Sequence, residues 1–178
     1  MDPAPNVAEA MKKIVAALKK LRLQAVAIGD AAHAALGCAK APQSVDFLIS
    51  TGEKQRLAIL AAAQREGLAP TESPPGLLRL TYKTATVRML EATSPFHRLM
   101  LSRAEPGVVL GVRSFVASPE DLILMRAASD APADRAAMIE LMKVFAGKLD
   151  PDYLKTQAEA VGRFDKVRSA WQESKGTG

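Results

Sequence analysis

Apolar residues recur along the chain at two spacings, and each spacing predicts a type of secondary structure. Residues 7 to 21 carry an apolar side chain every three or four positions, which is the period of a helix with one buried face. Two short apolar runs, residues 25–28 and 45–49, stop beside turn-forming residues and predict buried strands. Residues 77–82 and 84–90 alternate between apolar and polar, and they predict a hairpin that turns at the residue between them.

Further elements are predicted between and after these strands. Helices are predicted at residues 31–36, 51–66 and 94–104, and short strands at residues 108–110 and 112–116. In the second of these helices, we expect three residues to face the core: Leu57, Leu60 and Ala61. The prolines and the glycine between residues 70 and 76 predict a loop. The chain is therefore expected to form a small mixed β-sheet flanked by helices, which is an α+β fold.

The pattern becomes wholly helical in the last third of the chain. Ser118 is followed by a proline and two acidic residues, which is a typical helix start because the acids lie at the positive end of the helix dipole. Two more helices are predicted to begin near residues 132 and 150, and the polar tail from Lys166 is expected to fray. We therefore predict an α/β core over residues 1–116 and a helical C-terminal portion over residues 117–178, packed together as one compact unit.

Composition and charge narrow the class of protein. With 178 residues, 48% of them hydrophobic and 24% charged, the chain is globular rather than disordered. Its net charge of +5 allows phosphate-bearing partners. Cys38 is the one cysteine and there are two histidines, so the sequence excludes a disulfide framework and a zinc finger. The N-terminus is polar and no apolar run approaches the roughly 20 residues that span a bilayer, so we expect a soluble, cytoplasmic protein that does not bind membranes.

The candidate chemistry lies between Ile28 and Ile49. There a strand ends at Gly29 and Asp30, a helix follows and ends at Gly37, and a basic residue, Lys40, precedes an aspartate, Asp46, on the next strand. This layout resembles that of the nucleotidyltransferase fold of the polymerase-beta-like superfamily, especially the small bacterial proteins related to abortive-infection toxins. In that family the order is strand, Gly-Gly or Gly-Ser, helix, Gly, basic residue, Thr, and then Asp-x-Asp on the next strand.

A second segment extends the resemblance. Residues 118–126 look like the family's Pro-Glu-Asp-Leu helix, in which a lysine usually occupies the position of Arg126. Asp134 matches a further acidic residue of the family. The resemblance therefore spans roughly residues 7 to 155 and implies a nucleotidyltransferase-like fold.

The family's chemistry depends on carboxylates that this chain only partly retains. By resemblance, its relatives transfer a nucleotide from a nucleoside triphosphate to RNA or protein, with two Mg²⁺ ions held by three aspartates. Ser44 and Arg88 stand at two of those three positions, which leaves Asp46 as the candidate catalytic residue and the one candidate metal ligand. Asp30 adds a negative charge in the turn where a phosphate would bind. We therefore expect no conventional metal-dependent transfer and no cofactor.

The remaining site residues allow more than one interpretation. The candidate nucleotide-binding or phosphate-binding residues are Gly29, Asp30, Lys40, Ser44, Arg88 and Arg126. If the strand register holds, Asp46 and Arg88 face each other and form an ion pair. Alternatively, Arg88 and Lys40 replace the charge of the metal and bind phosphate directly. Asp30 is expected to cap the helix that follows it.

Three functions stay open at this point. The leading hypothesis is a catalytically degenerate pseudoenzyme that binds a nucleotide-like ligand or a protein or RNA partner, such as the antitoxin of a toxin–antitoxin pair. The second is an active nucleotidyltransferase that holds magnesium through Asp30, Asp46 and Glu91. The third is a nucleic-acid-binding module that uses the basic face of the first helix, namely Lys12, Lys13, Lys19, Lys20 and Arg22. Such a face is also typical of an ordinary solvated helix surface.

Overall fold

Two compact units make up the part of the chain that the computed structural model describes, residues 5–38 and 41–176. The first unit contains residues 5–35 and 41–117, and the second contains residues 36–38 and 118–176. The prediction that the two portions pack as one compact unit stays a prediction.

The first unit is built on a mixed β-sheet. Its elements are α1 (Pro5–Lys20), β1 (Ala25–Ile28), α2 (Gly29–Ala35), β2 (Ser44–Ile49), α3 (Glu53–Arg65), β3 (Ala69–Thr71), β4 (Leu77–Tyr82), β5 (Ala85–Glu91), α4 (Pro95–Arg103), β6 (Glu105–Val109) and β7 (Val112–Val116). The strand order is β3-β4-β5-β2-β1-β7-β6. Strand β2 is antiparallel to β1 and parallel to β5, and β1 is parallel to β7. The α+β fold predicted from the pattern of apolar positions is confirmed.

Helix α1 packs on the sheet through the face that its periodicity predicts. Met11 and Ile14 have no exposed surface, and Leu18 is also buried. Full burial of such a side chain contributes about 1.5–3 kcal/mol to folding. A polar contact fixes the same helix to the β4–β5 hairpin, because the Tyr82 hydroxyl donates to Glu9 over 2.6 Å.

Two local predictions are wrong. In α3 the buried residues are Ile59, Ala62 and Ala63, whereas Leu57 is 63% exposed, because the nearly continuous apolar run of this helix does not select one face by its period. The stretch predicted as a loop, residues 70–76, overlaps the end of β3, which pairs with β4 and has an exposed proline, Pro70. Proline is tolerated there because β3 is an edge strand.

The second unit is helical. Its helices are α5 (Pro119–Ala127), α6 (Pro132–Val144), α7 (Pro151–Ala160) and α8 (Phe164–Gly176). The Ser118 hydroxyl caps α5 by accepting from the amide of Asp121. The tail does not fray from Lys166 as predicted, because α8 continues to Gly176 and buries Val167 and Ala170.

The acidic residues at the start of α5 secure α7. Glu120 accepts a hydrogen bond from the Asp150 amide over 3.1 Å, and Asp121, which is fully buried, accepts one from the Tyr153 hydroxyl over 2.6 Å. These acids therefore have a structural role in the second unit. None of the helices in residues 5–38 and 41–176 has the length and apolar character that crossing a bilayer requires.

Candidate functional site

Three neighbouring strands bring the candidate site residues together in the middle of the sheet. Strand β1 ends beside β2, with Ile28 opposite Asp46, so Gly29 comes next to the aspartate. Strands β2 and β5 are parallel, with Asp46 opposite Arg88. Side chains at directly opposed positions lie on the same face of a sheet. The register therefore brings Arg88 to Asp46.

Asp46 and Arg88 form a two-pronged ion pair. Arg88 Nε donates to Asp46 Oδ1 over 2.5 Å, and Arg88 Nη2 donates to Asp46 Oδ2 over 2.8 Å. The Asp46 side chain is 9% exposed, whereas that of Arg88 is 48% exposed. The predicted pairing of these two residues is confirmed, and it occupies both oxygens of the carboxylate.

Ser44 completes this group of side chains. Its hydroxyl donates to Asp46 Oδ2 over 3.1 Å and accepts from Arg88 Nη2 over 3.1 Å. The pKa of the Arg88 guanidinium lies above its ordinary value, first because of its hydrogen bond to Asp46 and then because of the negative charges of Asp46 and Asp30. Arg88 is therefore a permanently charged group held in one orientation.

Gly29 lets the backbone approach this carboxylate closely. Its φ is +65°, in the left-handed region, and a Cβ atom at this position would lie 2.6 Å from Asp46 Oδ2. A side chain would therefore meet both backbone strain and a steric clash. Asp30 follows in the first turn of α2, where the helix dipole stabilises a negative charge.

The acidic residues proposed as magnesium ligands do not form a site that fits the ion. Both Asp46 oxygens face a guanidinium, which repels a cation. Glu91 lies three residues beyond Arg88 on β5, on the opposite face, where it pairs with Arg56 over 2.9 Å. Within the described ranges, no three His, Cys, Asp or Glu side chains are grouped so that they could hold a metal ion. The residues present therefore do not fit Mg²⁺.

A second arginine lies beside Arg88, and the sequence analysis missed it. Strands β4 and β5 pair Arg79 with Arg88, so both side chains project from the same face. Arg79 is exposed, and its guanidinium has no partner among residues 5–38 and 41–176. The sequence analysis predicted a turn at Lys83 alone, whereas the turn consists of Lys83 and Thr84 and β5 begins at Ala85. This two-residue turn fixes the register that pairs Arg79 with Arg88.

For two more of the predicted phosphate-binding residues, that role stays a prediction. Arg126 belongs to the second unit, where its guanidinium pairs with Asp134 over 2.5 Å. Lys40 lies outside the described residues. The expectation that Lys40 joins Arg88 at a phosphate therefore stays a prediction.

The basic face of α1 is partly engaged within the protein. Lys13 Nζ donates to the Glu66 carbonyl over 2.8 Å and lies 5.0 Å from the centre of the Tyr82 ring. Lys20 pairs with the Glu66 carboxylate over 2.6 Å. The exposed Lys12 and Lys19 have no partner in the described part of the chain. The basic face of α1 therefore contributes to the fold as well as to surface charge.

The fold of this chain is similar to the folds of several solved structures. No protein-family model and no curated protein matches the chain. Among solved structures, ANT(2'')-Ia in complex with adenylyl-2''-tobramycin is 16% identical with a TM-score of 0.64, over 92% of this chain and 98% of that chain. A nucleotidyltransferase-like antigenic protein from Paracoccidioides brasiliensis is 14% identical with a TM-score of 0.58, over 96% and 94% of the two chains.

A third similar structure is the lincosamide antibiotic adenylyltransferase LnuA with bound lincomycin. It is 9% identical with a TM-score of 0.57, over 76% of this chain and 96% of that chain. At such low identities, similarity of structure establishes the fold and leaves activity to be argued from the site. The chain therefore has a nucleotidyltransferase-like fold.

Proposed function

We propose that this protein is a catalytically degenerate member of the nucleotidyltransferase fold that binds a nucleotide-like phosphate anion at the Asp46–Arg88 pair, without a metal ion. The observation that carries the proposal is the two-pronged contact between Arg88 and both oxygens of Asp46. In this arrangement the carboxylate orients an arginine, and the arginine supplies the positive charge that a metal ion would otherwise bring.

The free side of Arg88 supports anion binding. Its Nε and Nη2 are used by Asp46 and Ser44, while Nη1 has no partner within residues 5–38 and 41–176. Arg79 adds a second guanidinium on the same face, without a partner in the described part of the chain, and the Thr86 side chain lies on that face too. Guanidinium and hydroxyl donors together suit phosphate oxygens.

The solved structures motivate a second candidate function. ANT(2'')-Ia appears there with an adenylylated tobramycin, and LnuA is an adenylyltransferase for lincosamide antibiotics. If this chain transferred an adenylyl group, it would have to neutralise the negative charge of the phosphates by another means than metal ions held by three carboxylates. A protein or RNA partner, including the antitoxin of a toxin–antitoxin pair, stays a prediction from the family resemblance.

Calorimetric titration with ATP, GTP, CTP and UTP, each with magnesium and with EDTA, tests the proposal. We expect at least one nucleotide to bind with the same Kd under both conditions. Arg79→Gln should weaken that binding about fivefold, the effect of losing a partly exposed ion pair of about 1 kcal/mol. Arg65→Gln, at an exposed arginine of α3 without a partner in the described part of the chain, should leave it unchanged.

Several outcomes would overturn the proposal. One is binding that requires magnesium and disappears in Asp46→Asn. Another is release of pyrophosphate from ATP in the presence of magnesium and tobramycin, which would establish transferase activity. The third is the absence of nucleotide binding under every condition. Circular dichroism of each variant checks that a lost signal does not come from unfolding.

A further inference from the structure

A groove of about 470 Å³ lies between α1 and the β6–β7 edge of the sheet, apart from the Asp46–Arg88 pair. Small side chains keep it open, because Ala25, Gly107 and Ser114 line it without filling it. Val15, Leu18 and Phe47 provide apolar walls. The volume falls within the range of about 300–1,000 Å³ that is usual for small-molecule sites.

Apolar surface is exposed to solvent at this groove. Val108 is 58% exposed and Phe115 is 39% exposed, and both residues line it. Large hydrophobic side chains at such exposure lose the stabilisation that burial would provide. An apolar ligand that covered them would recover part of that free energy.

Two cations also line the groove. Lys19, on α1, and Arg113, on β7, are both exposed, and neither has a partner among residues 5–38 and 41–176. The described lining contains no acidic residue. The groove therefore combines an apolar interior with positive charge alone.

We propose that this groove binds a free, small amphiphilic anion, whose apolar body lies between α1 and the β6–β7 hairpin and whose carboxylate or similar group contacts Lys19 and Arg113. Charge complementarity selects an anion over a cation or a neutral amphiphile. The volume suits a single small molecule, and the site is independent of the nucleotide site proposed above.

Decanoate is a suitable probe because it joins an unbranched apolar chain to one carboxylate. Calorimetry and amide chemical shifts should detect its binding, with the largest shifts at Val108, Ser114 and Phe115. Decyltrimethylammonium, which has the same apolar chain and the opposite charge, should bind at least fivefold more weakly. Lys19→Glu and Arg113→Glu should each weaken decanoate binding about fivefold or more, whereas Arg65→Glu should not change it.

A blocking variant tests the position of the apolar body. Ser114→Leu should fill the groove and abolish decanoate binding, and Thr71→Leu, the matched change on the opposite edge strand β3, should not. Equal binding of the anionic and cationic probes, shifts confined to another surface, or no binding would each overturn the inference. Binding of the protein to anionic phosphatidylglycerol vesicles but not to monomeric decanoate would also overturn it, since the ligand would then be a lipid surface.

Discussion

Asp46 illustrates at the residue scale how one neighbouring side chain determines what a carboxylate does. By the sequence resemblance it matches a metal-ligating aspartate, whereas in the structure both of its oxygens accept hydrogen bonds from Arg88. An ionised carboxylate that is 9% exposed requires such a partner, because an unpaired buried charge is costly. The same side chain thus supports the fold and orients a guanidinium.

The close contact of Gly29 with Asp46 leads to a prediction about stability. Gly29→Ala should lower the free energy of unfolding by about 2–4 kcal/mol, because the added methyl group clashes with Asp46 and φ is positive. Gly162→Ala is a matched control, since Gly162 has φ +67° and no described residue lies within 4 Å of an added Cβ. It should cost about 1 kcal/mol. Equal decreases in the free energy of unfolding of the two variants, measured in urea, would contradict the close approach of Gly29 to Asp46.

Single elements differ in how well the sequence predicts them. Strand β1 and strand β7 have the predicted bounds, because each is a short apolar or alternating run between turn residues. The phase of α3 was not predictable, since its alanines and leucines surround the helix. Tertiary packing, in which α3 contacts α1 and β3, determines that Ile59 is buried. Strand β3 was also missed, because edge pairing tolerates a proline that sequence patterns associate with loops.

The corrected phase of α3 leads to a prediction for a pair of variants. Ile59→Ala should lower the free energy of unfolding by about 2–4 kcal/mol, because it leaves a cavity at a fully buried position. Leu57→Ala should change it by less than about 0.5 kcal/mol, since that side chain is 63% exposed. Urea unfolding of both variants measures the difference. A larger loss in Leu57→Ala than in Ile59→Ala would reverse the assigned phase.

The site was predictable in part, for a definable physical reason. The Asp46–Arg88 contact was expected from the family resemblance on the condition that the strand register holds, because local pattern does not fix the register of the parallel strands β2 and β5. The pairing of Arg79 with Arg88 follows from a two-residue hairpin turn, whereas the sequence analysis predicted a one-residue turn. Which atoms of Arg88 contact the carboxylate depends on three-dimensional packing. The groove at the β6–β7 edge arises from small residues on separate elements, and no local pattern in the sequence marks it.

For the whole molecule, stability should depend on pH through a half-buried imidazole. Burial lowers the pKa of His97 below its ordinary value of 6.5, and its Nδ1 is buried without a hydrogen-bond partner in the described part of the chain. Below pH 6.5, the unfolded chain therefore binds a proton that the folded state resists. The contribution of His97 to the free energy of unfolding is therefore largest above that pH and falls as the pH decreases.

His97→Gln should remove this part of the pH dependence. Urea unfolding at about pH 7.5 and about pH 5.5 compares the two proteins. We expect the wild type to lose more stability on acidification than the variant does. His33 is present in both proteins, so the difference isolates His97. Equal losses would show that the folded state binds the His97 proton as readily as the unfolded chain.

The parallel pairing of β1 with β7 has a consequence for the order in which the chain folds during synthesis. Val26 pairs with Phe115, whereas the β4–β5 and β6–β7 hairpins join strands that are neighbours in sequence. At about 5–20 residues per second, the ribosome releases β7 roughly 5–20 s after β1. One edge of β1 therefore stays unpaired during that interval, and an unpaired strand edge is a surface on which another chain can pair.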